Sequence, residues 1–212
     1  GSMDWEVLRE TVKLATRFLD NVVSANKYIP AVPQVEQAAK RSRRIGLGIM
    51  GLADSMYLAG VRYGSKDGLD FAGQIMEFVR YYALEESVAL AKEKGAFPAL
   101  LGSIYDRNDF KWQRPQPLYS PEKDFGRPFL DWDLMEEEIK THGVRNAAQT
   151  TIAPTGTIST VAGVEGYGCE PVFALAYKRN VYQAAGEDKK MSLYYVSPLF
   201  EKALTLSGMP QE

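Results

Sequence analysis

The sequence predicts an α/β protein with a mainly parallel sheet, on three observations. Long segments with helical periodicity alternate with short segments rich in β-branched and aromatic residues. The composition, 45% apolar and 25% charged, is typical of a soluble globular protein. A chain of 212 residues is long enough to bury a sizeable core. We expect residues 4–212 to form a single domain, and residues 1–3 to be a cloning remnant.

Charge and the scarcity of ligating residues exclude several classes of function. A net charge of −2 gives no broad attraction to nucleic acid or to an anionic membrane, and no apolar run is long enough to span a bilayer. The single cysteine, Cys169, excludes an internal disulfide and a multi-cysteine metal site. The single histidine, His142, argues against a histidine-rich metal centre or a Ser-His-Asp triad. We therefore expect a cytoplasmic protein with no metal, nucleic-acid partner or membrane contact.

Four helices are predicted in the first two thirds of the chain. Asp4 is a candidate N-cap for a helix over residues 5–25. The apolar residues at helical spacing in it are Leu8, Val12, Ala15, Leu19 and Val22. PQVEQAAKRSR predicts a short helix that opens with a proline. Ser65 is a candidate cap for a long helix ended by Gly95. Its apolar residues at helical spacing are Leu69, Ala72, Met76, Val79, Ala83 and Leu90. Proline-rich residues 103–130 predict an ordered loop, and a helix over 131–140 follows.

The last third of the chain has the pattern of strands. AAQTTIAP (residues 147–154) is rich in threonine and small residues, VFALAYKRNV (172–181) mixes β-branched and aromatic residues, and MSLYYV (191–196) is a third candidate. SPLFEKALTLSG (197–208) predicts a closing helix.

The stretch RRIGLGIMGLAD contains a G-x-G-x-x-G pattern formed by Gly46, Gly48 and Gly51. That pattern is the fingerprint of a dinucleotide-binding turn and raises the hypothesis of an NAD-dependent oxidoreductase. Only one of the six residues before Gly46 is apolar, however, whereas the fingerprint requires a buried strand there. We favour glycines that allow close backbone packing in a short strand that runs into a helix.

The stretch TTIAPTGTIS is the stronger candidate for a binding site. Gly156 allows a ligand to approach the backbone, and hydroxyls follow closely at Thr155, Thr157 and Ser159. A turn that opens a helix presents unpaired N–H groups, which attract phosphate. The residues alone leave two alternatives open, a phosphate site or a helix cap without a ligand.

Single residues in GYGCEPVFALAYKRNV carry weaker signals. Cys169 lacks an obvious base, so we predict a buried small side chain and not a nucleophile. Glu170 lies before Pro171 and places an acid in an extended bend. Lys178 and Arg179 are predicted to be surface charges.

Together RRIGLGIMGLAD, RNAAQTTIAPTGTIS and GCEPVFALAYKRNV resemble the large catalytic subunit of ribonucleotide reductase. The resemblance covers nearly the whole chain from Asp4 and is closest to the adenosylcobalamin-dependent class II enzymes, although class I subunits share related segments. It implies a ten-stranded α/β barrel made of two half-barrels, of which this chain resembles the C-terminal half. It also implies that Thr155, Gly156, Thr157, Ile158 and Ser159 hold the phosphate groups of a ribonucleotide substrate.

The family's radical chemistry requires a thiyl cysteine in an Asn-Pro-Cys-Gly-Glu context and a redox-active cysteine pair, which one cysteine cannot supply. We therefore expect a fragment that carries the phosphate loop, lacks the catalytic cysteines, binds no adenosylcobalamin by itself and is inactive alone. Its partner would be the N-terminal half of the barrel. The exposed sheet edges of a half-barrel also favour a homodimer, strand exchange or loss of order at those edges.

Two other functions remain as alternatives, a non-catalytic phosphate- or nucleotide-binding module and the NAD-dependent oxidoreductase. Tyr194 and Tyr195 resemble the tyrosine pair that relays a radical in class I enzymes. Their context, in a predicted strand followed by Pro198, favours a structural role.

Overall fold

The computed structural model describes residues 2–117, 120–182 and 190–208. Its elements in chain order are helices α1 (Trp5–Ala25), α2 (Pro33–Ser42), α3 (Leu52–Ala59), α4 (Lys66–Lys94), α5 (Trp132–His142) and α6 (Ile158–Ala162), strands β1 (Ala176–Tyr182) and β2 (Lys190–Val196), and helix α7 (Pro198–Ser207). The chain forms two compact units. One contains the described residues of 2–48 and 69–152, and the other contains those of 49–68 and from 153 to 208. Gly1 of the predicted cloning remnant lies outside the described residues.

The helix predicted over residues 5–25 is confirmed as α1. The Asp4 carboxylate accepts a hydrogen bond from the N–H of Val7 at 3.0 Å, as expected of an N-cap. The buried face differs from the predicted stripe, since Thr16 and Asp20 are fully buried whereas Val22 is 45% exposed. The difference arises because Asp20 is buried in an ion pair with Arg43, and a pattern of apolar residues does not indicate such a pair.

Helix α4 supplies more of the core of the first unit than any other described element. The hydroxyl of Ser65 accepts from the N–H of Gly68 at 3.1 Å, which confirms the predicted cap. Its most buried large side chains are Phe71, Phe78, Val79, Leu84 and Leu90. Leu69, which belongs to the predicted stripe, is 54% exposed, because the aromatic residues define a face rotated from that stripe.

The predicted loop at 103–130 is irregular wherever it is described, and Leu118 and Tyr119 lie outside the described residues. Asp70 of α4 anchors this loop. Its carboxylate accepts from the N–H groups of Glu122 at 2.9 Å and Lys123 at 3.0 Å. These two bonds fix residues 122 and 123 of the loop to α4. The helix that follows it, α5, is confirmed and is capped by Asp131.

The prediction of a mainly parallel sheet is wrong for the described residues. They contain one two-stranded sheet, in which β1 and β2 pair antiparallel from Ala176 opposite Val196 to Tyr182 opposite Lys190. The predicted strand at 147–154 forms only an isolated parallel bridge between Leu47 and Thr150. That pairing stays short because the partner segment is glycine-rich and Pro154 has no N–H to extend a ladder.

The second unit contains α3, α6, α7 and the hairpin. The strands predicted at 172–181 and 191–196 are present as β1 and β2, although β1 begins at Ala176. Tyr177 and Tyr195 lie opposite each other, with ring centroids 4.8 Å apart. Ser197 caps α7 by accepting from the N–H of Phe200 at 3.0 Å, so the predicted closing helix is confirmed. No helix within the described ranges is long and apolar enough to cross a membrane.

Candidate functional site

The candidate site is the tight turn that connects Pro154 to α6. Thr155 adopts a left-handed backbone conformation, with φ of 53°. Its carbonyl oxygen accepts from the N–H of Ser159 at 2.9 Å, which closes the turn around Gly156 and Thr157. The five residues predicted to hold phosphate are therefore consecutive members of a single closed turn.

The open side of the turn is formed by backbone amides. Over residues 2–117, 120–182 and 190–208, no protein acceptor pairs with the N–H groups of Gly156, Thr157 or Ile158. All three residues are exposed. A Cβ atom built at Gly156 meets nothing within 4 Å, so the surface there is open. Consecutive free N–H groups beside a residue without a side chain can bind an anion.

The hydroxyl groups of the turn differ in their surroundings. The Oγ1 of Thr155 accepts from the N–H of Gly168 at 2.8 Å. Ser159 is fully buried, and its hydroxyl lies 3.5 Å from the carbonyl oxygen of Gly156. The hydroxyl of Thr160 donates to that carbonyl at 3.3 Å. Thr155 and Ser159 thus contact protein groups, whereas Gly156, Thr157 and Ile158 present the exposed surface.

A second loop, residues 164–170, packs beside the turn, and the sequence did not predict this contact or the part that Asp54 has in it. The N–H of Val164 donates to the carbonyl oxygen of Ser159 at 3.0 Å. Asp54 of α3 accepts from the N–H groups of Glu165 at 2.8 Å and Gly166 at 2.6 Å. The signal of Asp54 in the sequence is a single acid within the mainly apolar helix LADSMYLA.

The prediction that Cys169 is buried is wrong, because its side chain is exposed. The hydroxyl of Tyr63 donates to the carbonyl oxygen of Cys169 at 2.8 Å, so the main chain at this position is held from the protein side. Glu170 is exposed as well, and its N–H donates to the carbonyl oxygen of Tyr167 at 2.8 Å. Neither residue has the surroundings of a nucleophile or a catalytic acid.

The glycines of the G-x-G-x-x-G pattern lie close to other residues on the side where a Cβ atom would stand, although Gly46 and Gly48 are exposed. A Cβ at Gly46 would lie 2.8 Å from Cγ2 of Thr151, and a Cβ at Gly48 would lie 2.6 Å from the carbonyl oxygen of Thr151. Gly51 adopts φ of 76° at the N-cap of α3. Close backbone packing is therefore confirmed for Gly46 and Gly48. The NAD hypothesis is not supported, because contact with Thr151 accounts for the glycines at positions 46 and 48, and the N–H of Gly51 already donates to the carbonyl oxygen of Gly166 at 3.0 Å.

Two tyrosines of the second unit are held in the neutral form. Burial, followed by the negative charge of Glu165, raises the pKa of Tyr195 to about 12. The same two causes, with Glu165 ahead of Asp54, raise the pKa of Tyr57. Both phenols therefore stay protonated near neutral pH and act as hydrogen-bond groups. Tyr194, which precedes Tyr195 on β2, is 80% exposed.

Comparison with known proteins identifies the family. The ribonucleotide reductase barrel domain matches residues 1–212. A vitamin B12-dependent ribonucleoside-diphosphate reductase of Thermoplasma acidophilum is 35% identical over 210 residues, 99% of this chain and 22% of that protein. A ribonucleoside-diphosphate reductase subunit alpha of Chlamydia pneumoniae is 33% identical, over 95% of this chain and 19% of that protein. A vitamin B12-dependent ribonucleoside-diphosphate reductase of Mycobacterium tuberculosis is 34% identical, over 85% of this chain and 21% of that protein.

The chain thus spans about a fifth of the length of these relatives. The family match includes the turn at 155–159 and also Gly46, Gly48 and Gly51. The chain belongs to the ribonucleotide reductase barrel-domain family.

Proposed function

We propose that this chain is part of the catalytic barrel of a ribonucleotide reductase, which converts ribonucleotides to deoxyribonucleotides by radical chemistry. The observation that carries the proposal is the match of the barrel-domain family to residues 1–212. Relatives named as ribonucleoside-diphosphate reductases favour a nucleoside diphosphate as the substrate. The cytoplasm, where nucleotides are metabolised, is the proposed location.

In this proposal the turn at residues 155–159 holds the substrate's phosphate groups. The N–H groups of Gly156, Thr157 and Ile158 would donate to phosphate oxygens, and the Thr157 hydroxyl would add a further donor. Thr155 and Ser159 would shape the turn from beneath, since both contact protein groups. Hydrogen bonds to a charged acceptor are about twice as strong as neutral ones, so a few amides can hold a phosphate without a lysine.

One surface groove among the described residues can be compared with the size of the cobalamin cofactor. The groove beside Tyr63, lined by Met56, Tyr57, Val61 and Pro171 among others, has a volume of about 490 Å³ and opens to the surface. Such a groove does not enclose a corrin ring with its substituents. We therefore assign adenosylcobalamin to the whole reductase, on the names of two relatives, and to no residue of this chain.

The remaining parts of the reaction would come from outside this chain. Its single cysteine cannot provide both a thiyl group and a reducing pair, and Cys169 lies on an exposed loop. We propose that the chain forms the C-terminal half of the barrel, that its partner is the N-terminal half, and that the isolated chain is inactive. The parallel pairing of Leu47 with Thr150 supports this, because a parallel barrel uses that type of pairing. A homodimer of the isolated chain is a further expectation.

A titration of the full chain with inorganic pyrophosphate, followed by amide chemical shifts, tests the phosphate site. We expect the largest shifts at Gly156, Thr157 and Ile158, and loss of binding in Gly156→Val. The valine side chain would project into open space and not into the protein, so this variant should fold and yet obstruct the anion. Ser159→Ala should weaken binding by loosening the turn.

Gly73→Val is the matched control, because Gly73 also has open space around its Cβ and lies on α4, in the other unit. We expect it to bind pyrophosphate as the unaltered chain does. Undiminished binding in Gly156→Val, or shifts confined to other residues, would remove the phosphate assignment. Reduction of a ribonucleotide by the purified chain alone would contradict the proposal that the isolated chain is inactive.

A further inference from the structure

We infer that Asp54 is a positioning residue for the phosphate-binding turn, acting through the loop at 164–170; the inference rests on the function proposed above. Asp54 lies in α3, within the stretch RRIGLGIMGLAD, and touches none of the exposed amides of the turn. Its effect on a bound anion would therefore be indirect, through the shape of the turn.

The first step is the set of hydrogen bonds by which Asp54 holds the 164–170 loop. Its side chain is 6% exposed. One carboxylate oxygen accepts from the N–H of Glu165 at 2.8 Å, and the other accepts from the N–H of Gly166 at 2.6 Å. In return, the carbonyl oxygen of Gly166 accepts from the N–H of Gly51 at 3.0 Å. Two charge-assisted bonds and one backbone bond thus hold residues 165 and 166 against the start of α3.

The fit at this contact permits little displacement. A Cβ at Gly166 would lie 2.8 Å from an Asp54 carboxylate oxygen and 3.1 Å from Cβ of Ala53. Gly51 adopts φ of 76°, and a Cβ there would lie 3.2 Å from Cγ1 of Val164. Glycine at positions 51 and 166 therefore allows the backbone of the loop to approach the carboxylate closely.

The second step links the 164–170 loop to the turn. Gly168 donates its N–H to Oγ1 of Thr155 at 2.8 Å, and Val164 donates to the carbonyl oxygen of Ser159 at 3.0 Å. The loop thus holds both ends of the five-residue turn. The hydroxyl of Tyr63 adds a third support through the carbonyl oxygen of Cys169.

The third step is the strained backbone that this link stabilises. Thr155 has φ of 53°, a conformation that β-branched residues rarely adopt and that persists only where the surroundings enforce it. The bond from Gly168 to the Thr155 side chain is such a constraint. When Asp54 releases the loop, Thr155 can return to an extended backbone, and the three amides no longer converge. The measured affinity then falls in proportion to the fraction of molecules that still have the binding-competent turn.

The test is pyrophosphate affinity of the full chain in Asp54→Asn, measured with the thermal midpoint of each variant. We expect affinity about tenfold weaker, the factor that corresponds to loss of one charge-assisted bond. Asp70→Asn is the matched control. Asp70 is 2% exposed and its carboxylate also accepts from two consecutive backbone N–H groups, but of a loop in the other unit. Asp70→Asn should lower the thermal midpoint about as much as Asp54→Asn does and leave the affinity for pyrophosphate unchanged.

A double-mutant cycle separates positioning from general destabilisation. Thr155→Val keeps the shape of the side chain and removes the acceptor for Gly168. If Asp54 acts through this link, the affinity losses of Asp54→Asn and Thr155→Val are not additive. If Asp54→Asn does not fold, Gly166→Ala replaces it, because its methyl group displaces the carboxylate.

Each outcome decides between the two proposals. Weaker binding in Asp54→Asn with normal binding in Asp70→Asn, and a non-additive cycle, support the inference. Unchanged affinity in Asp54→Asn, additive losses, or an equal loss in Asp70→Asn overturn it while the phosphate site stands. Failure of the unaltered chain to bind pyrophosphate at residues 156–158 removes the proposed site itself.

Discussion

Arg43 and Asp20 form a buried ion pair, with Nη2 of Arg43 2.7 Å from Oδ1 of Asp20 and side chains that are 6% and 1% exposed. Nε of Arg43 donates to the same oxygen at 2.9 Å, and Nδ2 of Asn146 donates to it at 3.0 Å. Arg43 has φ of 46°, a left-handed C-cap for α2. The pair thus joins the end of α2 to α1 and to the segment that begins at Asn146.

Asp20→Asn should destabilise the chain by about 3 kcal/mol, because it leaves the Arg43 guanidinium buried without its carboxylate. Chemical denaturation gives this value as a lower midpoint. Arg114 and Asp133 form the control pair, 2.9 Å apart and exposed at 48% and 89%. Asp133→Asn should leave the midpoint unchanged, because exposed pairs contribute little. Equal effects in the two variants would show that burial does not determine the contribution of the Asp20 pair.

Gly48→Ala should destabilise the chain by about 1–3 kcal/mol, because its Cβ would lie 2.6 Å from the backbone carbonyl oxygen of Thr151. Backbone cannot move aside without breaking the pairing of Leu47 with Thr150. Gly73→Ala, within α4 and with open space at its Cβ, should instead stabilise the chain by about 0.5–1 kcal/mol. Thermal unfolding of both variants checks the opposite signs. Stabilisation by Gly48→Ala would exclude close packing at that glycine.

Local sequence signals predicted the helices well. Asp4 and Ser65 each cap the helix that the sequence assigned to them, because a cap depends on residues three positions apart. The buried faces were less predictable. Asp20 and Thr16 occupy the core side of α1, and the burial of Asp20 depends on a long-range polar partner, Arg43.

The sheet could not be predicted in the same way. β-Branched and aromatic content located β1 and β2, but strand direction depends on the chain between them and on distant partners. A single bridge from Leu47 to Thr150 replaces the predicted strand at 147–154.

The sequence predicted where the candidate site lies in the chain, but it did not predict the contacts that hold the site in shape. Glycine and hydroxyl residues in PTGTIS indicate a turn with free amides, a local property. The hydrogen bond between Asp54 and Gly166 joins residues 112 positions apart, and no periodic pattern in the sequence indicates it. Cys169 was wrongly predicted to be buried, because composition favours burial of a lone cysteine whereas the fold places this one on an exposed loop.

The thiol of Cys169 should react with a thiol reagent in native buffer, because its side chain is exposed. We expect one equivalent of product at a rate close to that of the denatured chain. The measurement is the absorbance of the released thiolate, and Cys169→Ser is the blank. Protection in native buffer, lost in denaturant, would restore the prediction of burial.

Alkaline pH should destabilise the chain through Tyr81 of α4. Burial, followed by the charge of Glu85, raises the pKa of Tyr81 to about 12, whereas a tyrosine in an unfolded chain titrates near pH 10, about its ordinary value. The unfolded chain therefore releases this proton first, and stability falls as pH rises from about 10 through 12. Tyr81→Phe should make the loss less steep in denaturation curves recorded across that range. Tyr194→Phe, at a position 80% exposed, is the control and should leave the steepness unchanged. Phenolate absorbance of the native chain and of Tyr81→Phe, recorded as pH rises, checks the burial of Tyr81. If the native chain shows one more phenol titrating below pH 12 than Tyr81→Phe does, Tyr81 is accessible and its burial is contradicted.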